Sequence, residues 1–566
     1  HAEDHAGERQ SFLRRFQQGF ERGFERFREG YQRALEHVIE HSGVFAGCFL
    51  LFCVLSCTVA FVLGRDFFPS VDAGQIRLHL RARTGLRIEE TARLTDQVNQ
   101  AIKETIPQDE IVTVLDNIGL PYSGINLTYS NAGTIGTSDA EVLVQLKGER
   151  SKGTAEYINK LRAELPQRFP GVQFYFQPAD IVTQILNFGT PAPIDISILG
   201  PVANQQGNYL LAEKFARDLR HVPGAVDVHV QQAFDAPTLH FDIDRTRAQY
   251  VGLQTRDVAQ NVLVSLSSSF QTTPSFWLDP KNGVSYNVAV QTPQYRVDSL
   301  QALQNTPINN TAAGTQPQIL ANLVSLQNTV RPASVSHFNA QPMVNVYASV
   351  DNRDLGSVAT QVYKIVGAHR DEVPKGSHVV IRGQVETMRT SFIGLGVGLV
   401  GAIVLAYLLI VVNFQSWLDP FIIITALPGA LAGICWMLLI THTTLNVPSL
   451  TGAIMCMGVA TANSILMVSF AREQMQEGKN AREAAVQAGF VRIRPVLMTA
   501  LAMIIGMVPM ATGLGEGGEQ NAPLGRAVIG GLLFATLATL FFVPCVFSII
   551  HSRLERKRQH AISGAV

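Results

Sequence analysis

The sequence predicts an α-helical membrane bundle of six spans that carries one large α+β domain outside the bilayer. Three observations predict it. Six apolar stretches of about twenty residues are each long enough to cross the hydrocarbon layer as a helix. They are nearly free of charge: between residues 420 and 470 there is no Asp, Glu, Lys or Arg, and the one histidine, His442, falls at a helix end. One stretch stands near the start and five in the last third, bracketing a polar segment of more than 300 residues.

Spans are expected at 43–64, 392–412, 420–440, 449–470, 495–514 and 527–550. Gly394, Gly398 and Ala402 on the second, and Gly429 and Gly433 on the third, form small-xxx-small series that let helices approach closely. Pro428, Pro495, Pro509 and Pro544 interrupt the helices, and neighbours in a packed bundle would satisfy the carbonyls they free. All six cysteines (Cys48, Cys53, Cys57, Cys435, Cys456 and Cys545) fall inside spans. The polar domain therefore has no disulfide, and the thiols read as small packing residues. Charged residues make up 16% of the chain at zero net charge, ordinary for a chain partly dissolved in lipid, and no nucleic-acid partner is expected.

Lys and Arg in short flanks orient the bundle. Seven Arg precede the first span, and Arg472, Lys479, Arg482, Arg492 and Arg494 lie between the fourth and fifth. Arg553, Arg556, Lys557 and Arg558 follow the last, whereas loops 441–448 and 515–525 carry no Lys or Arg. Both termini are expected in the cytoplasm and the domain from about 65 to 390 outside it, in the periplasm of a bacterium. His1 in place of Met points to an incomplete or processed chain.

Residues 9–40 read as an amphipathic helix. Phe12, Phe16, Phe20, Phe24, Phe27, Tyr31 and Leu35 recur every three or four residues on one face, and Arg14, Arg15, Arg22, Arg26, Arg28 and Arg33 occupy the other. An aromatic stripe backed by arginines suits the headgroup region of a membrane, and packing on protein is the alternative. The polar domain then repeats a pattern. Strand 75–80, helix 88–106, strand 109–115, strand 140–147, helix 153–168 and strand 171–177 form a β-α-β-β-α-β ferredoxin-like unit. A second unit starts with strand 193–199, helix 203–220 and strand 225–231, and resumes at strand 342–350, helix 354–371 and strand 376–382. The intervening stretch reads as an inserted subdomain, with a helix capped by Thr255 and a hairpin around Lys281-Asn282-Gly283.

Covalent chemistry is not expected. The lysine of Gly478-Lys479 lacks the upstream glycine and following Ser or Thr of a phosphate-binding loop. His221, His229 and His240 lack metal-site spacing and read as ordinary surface or strand residues. Of eleven methionines only Met343 and Met388 lie in the outer domain, too few for a soft-metal cluster. Within the spans, the fourth offers Thr461, Asn463, Ser464 and Ser469, and the fifth Thr499, with Arg492 and Arg494 at its cytoplasmic end. Such groups either hold helices together, at about 1 kcal/mol each, or line an ion path. No expected span carries a carboxylate, so a proton-driven process needs a partner to supply the acid.

Asn463-Ser464-Ile465-Leu466-Met467-Val468, followed by Phe470-Ala471-Arg472-Glu473, resembles the tenth span of resistance-nodulation-division (RND) efflux transporters of the hydrophobe/amphiphile exporter type. Arg492-Ile493-Arg494-Pro495-Val496-Leu497-Met498-Thr499 is similar to the family's next cytoplasmic elbow and span, and Phe67-Phe68-Pro69-Ser70-Val71-Asp72-Ala73-Gly74-Gln75 to the start of its second porter half. The resemblance implies the C-terminal half of a proton-driven pump that uses no cofactor. It would work as a homotrimer or heterotrimer with an N-terminal half on the same or a separate chain, in the bacterial inner membrane. Amphiphilic compounds would leave through a periplasmic adaptor and an outer-membrane channel. Export of a lipid or envelope component, or a transport-inactive scaffold or sensor, are the rival readings.

On that resemblance the chain divides into an interfacial helix (1–42), a first span (43–64), a first porter subdomain (65–180), a second (181–236 and 337–390) with a docking subdomain inserted (237–336), five spans (391–551) and a tail (552–566). Ala462 stands where drug-exporting members carry a lysine that pairs with aspartates of the other half. Without that charge the aspartates would hold protons more tightly. The relay would then fall to Asn463, Thr499 and Arg492, with Thr461 beside them. Leu120, Pro121 and Tyr122 resemble the flexible switch loop beside the family's substrate pocket, and Phe276 and Trp277 fit the docking arm.

Overall fold

The computed structural model describes residues 12–120, 133–187, 189–310, 314, 316–515 and 517–563. The chain forms two compact units, His1–Gln231 with Val335–Val566, and Gln232–Ser334.

The first unit opens with the helix Phe12–Glu40. Tyr31, Leu35 and Ile39 are buried in a cluster with Met467, Val468, Ile493 and Val496, whereas Phe27 stays 55% exposed. The end of the aromatic stripe therefore packs on protein. Among the described residues, six helices are long and apolar enough to cross a membrane: Ser42–Val62, Gln384–Phe414, Leu418–Ile440, Val447–Gln476, Ala481–Thr512 and Gly518–Lys557.

Prolines act unequally along these helices. Pro428 has no N–H for the Ile424 carbonyl, and the third helix splits there into Leu418–Ile424 and Leu427–Ile440. Pro544 likewise frees the Leu540 carbonyl, inside a π-helical turn over Ala538–Phe542, and the Tyr31 hydroxyl donates to that oxygen at 2.7 Å. Pro495 and Pro509, expected to interrupt their span, lie within the unbroken helix Ala481–Thr512, whose flanking turns hold the backbone across each missing bond. The glycine series also differ. A Cβ on Gly433 would collide with the Gly530 carbonyl, and one on Gly429 would press on Phe49, so this stripe is a close crossing. Gly394 and Gly398, expected to pack closely too, have nothing within 4 Å. Their helix leans on the chain along one side only, and this stripe lies on the other.

Within the first unit, the described residues of the polar segment build two sheets. In the first, β1 (Gln75–Arg81), β2 (Ile111–Ile118), β3 (Asp139–Leu146) and β4 (Gln173–Gln177) pair antiparallel in the order β2-β3-β1-β4. Alternation along β1 sorts its side chains. Ile76, Leu78 and Leu80 enter a core with Val98 and Ile102 of helix Ile88–Thr105 and Tyr157 and Leu161 of helix Thr154–Arg168. Arg77, His79 and Arg81 face the other way and are buried as well.

A second sheet starts with β5 (Ile194–Leu199) and β6 (Ala225–Val230), joined through helix Gln205–Leu219. The chain then builds the second unit. There β7 (Ala236–Ile243), the hairpin β8 (Ser275–Leu278) and β9 (Ser285–Val288), and β10 (Pro307–Ile308) with β11 (Gln318–Ile319) precede β12 (Val324–Arg331), which pairs antiparallel with β7. Gly283 turns the hairpin at φ +69°, and Phe276 and Trp277 are exposed on β8. Helix Thr255–Ser267 is capped by Gln254, not Thr255, because Asp257 reaches back to accept the Gln254 N–H at 2.9 Å. Back in the first unit, β13 (Ser336–Phe338), β14 (Gln341–Val350) and β15 (His378–Gly383) complete the second sheet in the order β13-β14-β5-β15, with β6 also on β14.

Candidate functional site

Two constellations of the first unit bear on the expected relay and switch-loop residues. The first lies among the apolar helices. Asn446 caps helix Val447–Gln476 by accepting the Ser449 N–H at 2.9 Å, which fixes the helix's start. Asn463, buried farther along, accepts a hydrogen bond from the Thr499 hydroxyl of helix Ala481–Thr512 at 3.0 Å. One residue on, the Ser464 and Thr539 hydroxyls meet at 3.1 Å. Thr461 turns back to the Met457 carbonyl at 2.8 Å. Arg492 stands two turns before Thr499, about 10 Å along the axis, with its guanidinium 4.9 Å over the Phe470 ring. Its Nε is buried without a hydrogen-bond partner. Of the four expected relay residues, Asn463 and Thr499 are joined, Arg492 lies on the same helix with a donor to spare, and Thr461 is occupied. Ala462 opens on an apolar cavity of about 400 Å³ bounded by Ala402, Ala406, Ile424 and Met457.

One residue outside the expected third span, Asp419 sits buried in the first turn of the third apolar helix. His551 and Arg472 flank it at 3.0 and 3.3 Å, and Arg472 also donates to the Phe414 carbonyl at 2.7 Å. The three residues come from separate helices, so no local motif announces them. Fully paired, this carboxylate ties helix ends together.

The second constellation joins the two sheets. The Asp139 carboxylate accepts from Arg81 Nε and Nη2 at 3.1 and 3.0 Å, from His79 Nε2 at 3.1 Å and from the Ile135 N–H at 3.0 Å. Arg81 Nη1 reaches across to the Val230 and Gln231 carbonyls at 3.2 and 3.0 Å. Tyr175 stacks between His79 at 4.4 Å and His229 at 3.6 Å, and His229 meets Tyr347 edge-on at 5.7 Å. Arg77 pairs with Glu141 alongside. Several buried atoms here have no hydrogen-bond partner: His79 Nδ1, His229 Nε2, the Tyr175 hydroxyl, the Thr134 hydroxyl and both Gln177 side-chain atoms.

Burial works against charge on Asp139, but His79 and Arg81 outweigh it and hold its carboxyl below the usual range. Burial lowers both His79 and His229, the latter to about 3, so both rings are neutral near pH 7. Sequence reasoning took His229 for an ordinary strand residue and passed over His79, Arg81, Asp139 and Tyr175. The usable signal was the Arg77-x-His79-x-Arg81 alternation opposite an apolar face, which marks a strand with two buried sides. His221 is exposed and His240 half-buried, in line with their reading.

Of the expected switch loop, Leu120 is exposed, and Pro121 and Tyr122 lie outside the described residues. The flanks are informative. The Gly119 N–H donates to the Asp139 carbonyl at 2.8 Å, and the Gly133 carbonyl accepts from Gln231 Nε2 at 2.8 Å. Both ends of the segment therefore abut the inter-sheet cluster.

Comparison with known proteins gives the family of this apolar helical bundle and its two sheets. The AcrB/AcrD/AcrF family matches residues 2–551, so the chain belongs to this family of inner-membrane RND transporters. It is 27% identical over 509 residues to the cobalt-zinc-cadmium resistance protein CzcA of Cupriavidus metallidurans, covering 89% of this chain and 46% of the relative. It is also 27% identical over 512 residues to protein HelA of Legionella pneumophila, covering 89% and 47%. The chain thus spans about half the length of the curated relatives it matches. Two crystal forms of a heavy metal efflux pump share the fold. One has a TM-score of 0.79 at 23% identity, covering 94% of this chain and 52% of that one, and the other 0.75 at 25%, covering 92% and 51%. CzcA and the two solved structures are thus named for metal resistance or efflux, where the sequence resemblance pointed to amphiphile export.

Proposed function

We propose that the chain is the C-terminal half of an RND export pump, driven by an ion gradient that it handles jointly with an N-terminal half. The observation that carries this is the buried, unpartnered Arg492 Nε two helical turns before Thr499, whose hydroxyl donates to Asn463. A cation at the end of a membrane helix is stabilised by an acid, and Asp419, buried at the end of another apolar helix, is already paired with Arg472 and His551. Aspartates on the companion half would meet Arg492 and Asn463 and take up the proton. The sheets would act as porter subdomains and the Gln232–Ser334 unit as the docking subdomain of a trimer, with both termini cytoplasmic and an adaptor and outer-membrane channel completing the path.

For cargo we propose an amphiphilic organic compound taken up beside the inter-sheet cluster. The donor chemistry there favours it over a metal cation. Both Asp139 oxygens and His79 Nε2 are engaged, and the Arg81 guanidinium places a fixed positive charge where a divalent ion would sit. Unpartnered hydroxyl, amide and imidazole atoms beside stacked rings suit a polar aromatic or amphiphilic molecule. Divalent metal export is the second reading, favoured by the names of the relatives.

The test is co-expression of both halves in a strain lacking its own exporters. Lower accumulation of a lipophilic dye, lost on Arg492→Gln, with unchanged zinc and cobalt tolerance is the expected result. Raised metal tolerance without dye export would replace the cargo reading. Neither effect, with both halves assembled, would leave a scaffold.

A further inference from the structure

We propose that His37, Glu40 and His41 form a binding site for a divalent transition-metal ion, at the bend between the Phe12–Glu40 helix and the first apolar helix. The three side chains are exposed, and their ligand atoms all lie within 4.8 Å of one another. Helical spacing explains the convergence. Residues three and four apart share a face, so Glu40 and His41 both fall beside His37, and the two imidazole centroids are 4.8 Å apart. Two imidazole nitrogens and one carboxylate oxygen are the donors zinc accepts, with further positions left to water. Nickel and cobalt accept the same nitrogens.

The backbone beneath the site is already fixed. Leu35 and Ile39 are buried on the opposite face of the same helix, at 0% and 3% exposure. Tyr31 is tied to the Leu540 carbonyl at 2.7 Å, and Cys545 Sγ contacts the Ser42 carbonyl at 3.2 Å, just past the bend. A bound ion therefore orders side chains alone, which keeps the entropic cost of binding small. The neighbouring charges are of both signs: Glu36, four residues before Glu40, shares its face, and Arg33, four residues before His37, shares the histidine's. No part of the site belongs to the Asn463–Thr499 pair or to the Asp139 cluster, so it is independent of the cargo assigned above. Because His41 stands between the two helices, with φ −103° and ψ 32°, an ion held by all three ligands clasps the end of one helix to the start of the next.

The test is a zinc titration of the purified full chain in detergent against a chromophoric chelator, repeated with cobalt to record the absorption of the bound ion. His37→Ala and His41→Ala should each abolish one equivalent or weaken it about tenfold or more, since losing even a ligand's outer partner costs that much. Glu40→Gln should weaken binding less and alter the cobalt spectrum. All three positions are solvent-facing, so metal-free melting temperatures should match the parent and exclude misfolding as the cause. His79→Ala separates the site from the inter-sheet cluster. Loss of the equivalent there instead, unchanged binding in both histidine variants, or no zinc binding by the parent would each overturn the assignment.

Discussion

His229 shows how burial turns one side chain into a pH dependence of the whole domain. Its ring is sealed between Tyr175 and Tyr347, and burial drives its ionisation down to about 3 from an ordinary 6.5. Above pH 6.5 the ring is neutral in folded and unfolded chains alike and contributes no slope. Below it the unfolded chain takes up a proton that the folded chain refuses, so stability falls, by about 2 kcal/mol at pH 5. His79, lowered by the same burial, adds to the loss. His229→Phe keeps a ring on Tyr175 and should flatten the decline in melting temperature between pH 7 and 5; an unchanged slope would acquit His229. Asn463 and Thr499 are tested by rate. Their hydrogen bond is worth about 1 kcal/mol to packing, so either alanine variant should assemble normally yet export at least about fivefold more slowly. Export at the parent rate in a dye-accumulation assay would remove both from the relay.

At the scale of elements, the helix Phe12–Glu40 is held by two contacts that can be broken separately. Tyr31→Phe leaves the Leu540 carbonyl, already deprived by Pro544, without a donor, and should cost about 1 kcal/mol. Gly489 allows the close approach of Leu35 and Tyr31, since a Cβ there would lie 2.7 Å from the Tyr31 hydroxyl and nearer still to Leu35. Gly489→Leu should therefore lift the helix off the bundle, at about 1–3 kcal/mol. Amide exchange over residues 31–39 should accelerate in both variants, more in the second; parent-like protection in Gly489→Leu would show that the helix is held elsewhere. Much of this level was legible in the sequence. The alternation of Ile76, Leu78 and Leu80 with Arg77, His79 and Arg81 marked β1, and the three- and four-residue spacing of Phe24, Phe27, Tyr31 and Leu35 marked the first helix. What could not be read was set by partners distant in sequence. Pro428 breaks its helix while Pro495 does not, and Gly429 meets Phe49 while Gly394 meets nothing, though each pair looks alike locally. The partners of Asp139 and Asp419 come from separate elements for the same reason.

For the whole molecule, the exposed apolar surface decides what is incomplete. Val397, Leu405 and Val412 on helix Gln384–Phe414 are 69%, 69% and 77% exposed, and Gly394 and Gly398 share that helix with no contact among the described residues. Lipid covers some of this surface, and a small-residue stripe is suited to another helix. On the proposal that a companion half completes the bundle, Ala462→Cys should form a disulfide with a cysteine placed on that half's facing helix. Failure of every such pairing, with both halves folded, would count against the shared bundle. The Gln232–Ser334 unit is differently placed. Its two ends meet where the Ala333 N–H donates to the Ala233 carbonyl at 2.8 Å, so the chain leaves and returns through one doorway. A detour that closes on itself can be lengthened, traded or excised with two cuts and a tight turn, which gives evolution a cartridge to swap while the rest of the framework keeps its shape.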